Sequence, residues 1–139
     1  MRVSTLAYTQ TIPSETDMAK IRGLRGATVP DDNTREAILE ATTELLKAMV
    51  DSNEVDVDDI AAAYFTTTAD INAEFPAAAA RQLGWQYVAL LCAHEMKVPN
   101  AMQGVIRIML LVNTDKAAAD LKFQYLRGTD ALRKRVTEE

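Results

Sequence analysis

Between Arg35 and Asp51, residues Ile38, Leu39, Thr42, Leu45, Leu46, Met49 and Val50 recur every three to four positions. Arg35, Glu36, Glu40, Glu44, Lys47 and Asp51 fall on the other side. This is the pattern of an amphipathic α-helix, and no other segment limits the fold as strongly. A helix with one apolar stripe must lay it on a second surface, so the rest of the chain has to supply that surface. Pro30-Asp31-Asp32-Asn33-Thr34 precedes the stripe as a turn. Asn33, with Glu36 three residues on, reads as a capping-box variant at the helix start.

The partner surface is a sheet. Val105 to Asn113 is the clearest strand, with Ile106, Ile108, Leu110 and Val112 alternating on one face. Ile60 to Thr67 reads as another, because Tyr64, Phe65 and its threonines favour extended backbone. Ile21 to Val29 is a glycine-punctuated strand, and the apolar run Tyr87 to Cys92 is expected to be a buried one. Tyr125 to Leu132 is expected to form a last strand or an extended arm. Short helices are expected over Asn72 to Leu83, with Pro76 near the first turn and Gly84 as the stop, and over Lys116 to Lys122. Val57 to Asp59 reads as one helical turn. The order predicts an α+β domain, a mixed sheet of about four to five strands packed on one long helix. The uncovered sheet face implies self-association.

Residues 1–20 carry Pro13 and many Ser, Thr and Gln without sustained periodicity, and are read as an N-terminal extension to a domain of residues 21–139. At 139 residues one domain is expected. The formal net charge is −5 and there is no basic run in the domain body, which argues against general nucleic-acid binding. Apolar runs such as Val88 to Ala93 fall far short of the roughly 18 residues of a membrane helix. A soluble, cytoplasmic protein is expected. Cys92 is the one cysteine and His94 the one histidine, so Cys and His alone cannot fill a structural zinc site.

Few residues offer chemistry. Arg107 sits mid-strand between Ile106 and Ile108. An arginine there either makes an ordinary ion pair on a face open to water or holds a carboxylate or phosphate with its planar fork. Arg22 and Arg25 lie in the glycine-rich first strand, where a structural role is the plainer reading beside an anion site, and no phosphate-loop spacing is present. Cys92-Ala93-His94-Glu95 invites a nucleophile or metal reading, yet two strand neighbours rarely meet productively. Glu95 is open as a polar anchor for a ligand. Tyr125 and Phe75 are aromatic residues near element ends, where core packing is the plainer role.

The order of several strings adds a resemblance. Arg22-Gly23-Leu24-Arg25-Gly26-Ala27-Thr28, Phe75-Pro76-Ala77 with Arg81, Gly84-Trp85-Gln86-Tyr87-Val88, Cys92 with Glu95-Met96, Val105-Ile106-Arg107-Ile108, Asn113-Thr114-Asp115 and Tyr125-Leu126 follow one another between Ile21 and Arg133. Together they resemble the small monofunctional bacterial chorismate mutases of the trimeric class. The resemblance implies a homotrimer forming a pseudo-α/β-barrel, with active sites at subunit interfaces. It also implies the Claisen rearrangement of chorismate to prephenate in phenylalanine and tyrosine biosynthesis, with no cofactor and no metal.

By position, Arg107 matches the family arginine facing the ether oxygen and a substrate carboxylate, and Arg25 the carboxylate-binding arginine of the first strand. Glu95 matches the group taking the substrate hydroxyl, Tyr125 the hydrogen-bonding aromatic, and Cys92 the lining of the ring pocket. Phe75, Ala77 and Arg81 match the segment expected from the neighbouring subunit. Ala78 departs from relatives with a long polar residue at the mouth of the site. The arm carrying Leu132 and Arg133 could close over a ligand. The alternative is a non-catalytic trimeric binding or regulatory protein on the same scaffold, since fold does not fix function.

Overall fold

The computed structural model describes residues 19–137, so the expected extension lies, but for its last two residues, outside the described residues. Five strands form one mixed sheet: β1 (Lys20–Thr28), β2 (Ile60–Thr67), β3 (Ala89–His94), β4 (Ile106–Thr114) and β5 (Gln124–Tyr125). Among the described residues three helices accompany them: α1 (Arg35–Ser52), α2 (Ala77–Gln82) and α3 (Asp130–Thr137), with 3-10 turns at Val57–Asp59 and Ala118–Asp120. The strand order is β3-β2-β4-β1-β5. Central β4 runs antiparallel to both β1 and β2, while the outer pairs β2/β3 and β1/β5 are parallel. This is the expected α+β sheet on one long helix. Among the described residues, no helix is long and apolar enough to cross a membrane.

Helix α1 buries Ile38, Leu39, Ala41, Thr42, Leu45, Leu46 and Met49. Leu24, Phe65, Ile108, Leu110 and Val112 from the sheet meet that stripe in one core cluster, together with Ala77, Ala79, Ala80 and Trp85 around α2. Gly26 marks the closest approach of helix and sheet. A Cβ there would stand 2.6 Å from Met49 Sδ and 3.0 Å from Leu45 Cδ1.

Four local expectations are corrected. The N-cap is Thr34, whose side chain accepts from the Ala37 amide, and not Asn33. Asn33 Oδ1 instead accepts the amides of Asn72 and Ala73, both at 3.0 Å, holding the loop before α2. That loop runs to Pro76, so the helix begins at Ala77 and not at Asn72. Proline disfavours helical backbone in the residue before it, which keeps Phe75 out of the helix. β3 starts two residues later than Tyr87 and is an exposed edge strand, because its outer side has no strand neighbour among the described residues. Finally, the expected last strand or arm is a two-residue strand and then a helix, separated by a turn at Arg127-Gly128 with φ of 52° and 84°.

Candidate active site

Alternation along each strand gives the sheet two faces. Odd-numbered positions of β4 face away from α1, and register carries this across the sheet. Arg107 lies beside Ala27 of β1 and Thr66 of β2. Ala27 in turn lies beside Tyr125 of β5, and Thr66 beside Ala93 of β3. The next row pairs Arg25 with Met109 and Met109 with Tyr64. Two arginines and a tyrosine separated by up to 100 residues thereby share one open face.

These side chains line a cavity of about 300 Å³ with Thr66, Glu95, Met109 and Leu132. Arg107 Nε lies 3.2 Å from Glu95 Oε2, and the Thr66 hydroxyl donates to the same oxygen. Glu95 is the first residue past β3, and its amide donates to Thr67 O at 2.8 Å, which anchors it over the sheet. With Nε engaged by Glu95, the two terminal nitrogens of Arg107 remain as a planar fork for an anion. The Arg25 guanidinium lies 5.2 Å from the Phe123 ring centroid, and that of Arg133 5.2 Å from the Tyr125 ring centroid. Such stacking fixes the plane of a guanidinium while leaving its N–H groups free. The cavity thus presents cations, one carboxylate and apolar walls. It suits an anionic small molecule.

The other candidates gather elsewhere in the chain. Cys92 pairs in register with Phe65, on the helix-covered face. With His94, Phe75 and Pro76 it lines a second cavity of about 310 Å³. Burial pushes the Cys92 thiol above its ordinary value, partly opposed by the Ala77 amide and the charge of Arg81. The thiol is therefore protonated near neutral pH, and a thiolate nucleophile is disfavoured. Ala77 is buried at the start of α2, while Phe75 and Arg81 are exposed. Arg35 Nε bonds Glu74 Oε2 at 3.0 Å, and Glu74 Oε1 accepts the Phe75 amide at 2.8 Å, so Phe75 stands on a braced loop. Arg25, Glu95, Arg107 and Tyr125 are brought together; Phe75 and Cys92 line the second cavity, with Ala77 and Arg81 on the adjoining helix α2.

Sequence reasoning missed Thr66, Tyr64 and Met109 as cavity residues. The alternation of β2 and β4 held the signal, since 64 and 66 share a face, as do 107 and 109. The strand expected from Val105 starts one residue later, at Ile106, and Val105 itself is buried.

Comparisons with known proteins agree with one another. The family model for chorismate mutase type I matches residues 21–136. The chorismate mutase AroH of Thermus thermophilus is 43% identical over 114 residues, covering 81% of this chain and 93% of the relative. The chorismate mutase AroH of Bacillus subtilis is 39% identical over 114 residues, covering 81% and 90%. Among solved structures, a chorismate mutase from Clostridium thermocellum superposes with a TM-score of 0.78 at 44% identity, covering 79% of this chain and 98% of that one.

Proposed function

This chain belongs to the chorismate mutase type I family, and we propose that the cavity on its open sheet face binds chorismate and carries the rearrangement to prephenate. The chain is an enzyme, an isomerase of aromatic amino acid biosynthesis. Nothing in the comparisons favours a non-catalytic binding protein. The observation that carries the site assignment is the convergence of Arg25, Arg107, Glu95 and Tyr125 on one cavity.

The reaction is intramolecular: one C–O bond breaks, one C–C bond forms, and no proton changes owner. The protein's tasks are to hold the two reacting ends together and to stabilise the charge that builds on the ether oxygen. Arg25 takes one substrate carboxylate. Arg107 uses its free fork for the second carboxylate and the ether oxygen. Glu95, held by Thr66 and Arg107, accepts the substrate hydroxyl, and Tyr125 adds a hydrogen bond. Holding a compact conformer removes much of the entropic barrier. A preorganised cation at the developing oxyanion contributes about 3–4 kcal/mol in a dry site.

The group around Phe75, Ala77, Arg81 and Cys92 completes the cavity from a neighbouring subunit of a cytoplasmic homotrimer, whose three subunits together form a pseudo-α/β-barrel. The exposed β3 edge, and Tyr64, Leu91 and Met109 on the open face, support such an assembly: all three side chains are large, apolar and exposed in the single chain.

The test is a continuous assay of chorismate loss with wild-type protein and Arg107→Ala. Wild-type turnover that falls in the variant by about two to three orders of magnitude, with the assembly unchanged by light scattering, is expected. Near-wild-type rates in Arg107→Ala would overturn the site assignment. Dilution to demonstrable monomer is expected to abolish activity, because each site draws on two subunits.

A further inference from the structure

The turn after β5 is held by more than its backbone. Leu126 N donates to Ala27 O at 2.9 Å, and the fully buried Thr129 donates its hydroxyl to Leu126 O at 2.8 Å and Ala27 O at 3.2 Å. Between them Arg127 adopts a left-handed φ of 52°, unfavourable for a side chain with a Cβ. Its guanidinium turns toward the α1 side of the molecule. Nε bonds Glu44 Oε1 at 3.1 Å, Nη1 bonds Val29 O at 3.3 Å and Asp31 Oδ1 at 3.4 Å, and Nη2 lies 3.6 Å from Glu40 Oε1. The arginine is 23% exposed, whereas the Asp31, Glu40 and Glu44 side chains are 82%, 70% and 51% exposed. One cation thus gathers three carboxylates and a carbonyl, a network and not an isolated surface pair.

What this network fixes is the segment that crosses to the opposite face. Tyr125 stands two residues before Arg127, and Leu132 five residues after; both line the cavity with Arg25 and Arg107. We propose that Arg127 is a positioning residue for the reaction: anchored by Asp31, Glu40, Glu44 and Val29 O, it sets where Tyr125 and Leu132 stand over the bound substrate. This rests on the assignment of the site to the open-face cavity. Arg127 touches no substrate, and its effect passes through the turn.

The inference separates a side-chain anchor from mere turn geometry. Arg127→Ala removes the anchor and keeps the backbone strain; Arg127→Gly removes both. Arg127→Lys keeps a charge that cannot span the four acceptors. Glu44→Gln weakens the anchor from an exposed helix position, where loss of fold is not expected. The expected result is a KM for chorismate raised about tenfold in both Arg127→Ala and Arg127→Gly, about threefold in Glu44→Gln, with kcat changed less. Arg127→Lys is expected in between. Hydrogen exchange of the intact assembly is expected to quicken at amides 126–132 and to stay unchanged in β4. Wild-type KM in Arg127→Ala, or wild-type kinetics in Arg127→Gly, would overturn the proposal. The exchange readout does not depend on where chorismate binds. Faster exchange with unaltered KM, alongside an inactive Arg107→Ala, would therefore sink the positioning role alone. An active Arg107→Ala would sink the site assignment and this inference with it.

Discussion

On the covered side of the sheet, β4 presents Ile106, Ile108, Leu110 and Val112, none more than 3% exposed. On the open side the same strand presents Arg107, its side chain 44% exposed, and Met109, 39% exposed. The two faces share every backbone hydrogen bond, yet one is closed with apolar volume and the other carries charge in a cavity. Backbone pairing holds the arginines in register; the covered face holds the backbone. Stability is therefore concentrated on one side and chemistry on the other, and the two can be perturbed separately.

The strongest test of that separation is a pair of substitutions. Arg107→Ala is expected to lose about 3–4 kcal/mol of transition-state stabilisation while leaving the urea midpoint within error, as no covered-face contact changes. Leu45→Ala, fully buried against the sheet, is expected to lose about 2–5 kcal/mol of folding stability. Its turnover per folded molecule is expected to stay near wild type. A Leu45→Ala protein that stays fully folded by circular dichroism yet turns over poorly would break the division.

A finer test lies on the open face. Thr66→Val keeps the side-chain shape and removes the hydroxyl that holds Glu95. A loss of about 1 kcal/mol, read as a roughly fivefold fall in kcat/KM, is expected, with unchanged thermal stability. An effect of similar size, on stability alone, is expected away from the open face. Thr34→Ala removes the α1 N-cap and should lower stability by about 1 kcal/mol in urea titration, without altering KM.

How much of this was legible depended on periodicity. The stripe from Ile38 to Met49 and the alternation from Ile106 to Val112 each repeat often enough to define a face, and both gave helix and strand correctly. Alternation likewise put Arg107 opposite the isoleucines. It could not say whether the face was open, since that depends on which strands flank β4. β3 misled because Val88 to Cys92 is apolar throughout, a composition equally suited to a buried strand and to an edge. The turn at Arg127 left no signal, for an arginine at positive φ follows from contacts with Asp31, Glu40 and Glu44 that lie far away in sequence. The grouping of Arg25, Glu95 and Tyr125 with Arg107 was suggested by resemblance and not by spacing.

The strand order has a consequence for the chain while it is being made. β1 and β2 never pair with each other; each pairs with β4, which follows β2 by 38 residues. At about 5–20 residues per second, roughly 2 to 8 s pass on the ribosome between completion of β2 and the first residue of β4. Through that interval the nascent chain holds α1 with its apolar stripe but at most the β2/β3 pair of the sheet to lay it on. Until synthesis reaches β4, the finished first half is a client for whatever shields apolar surface at the exit tunnel.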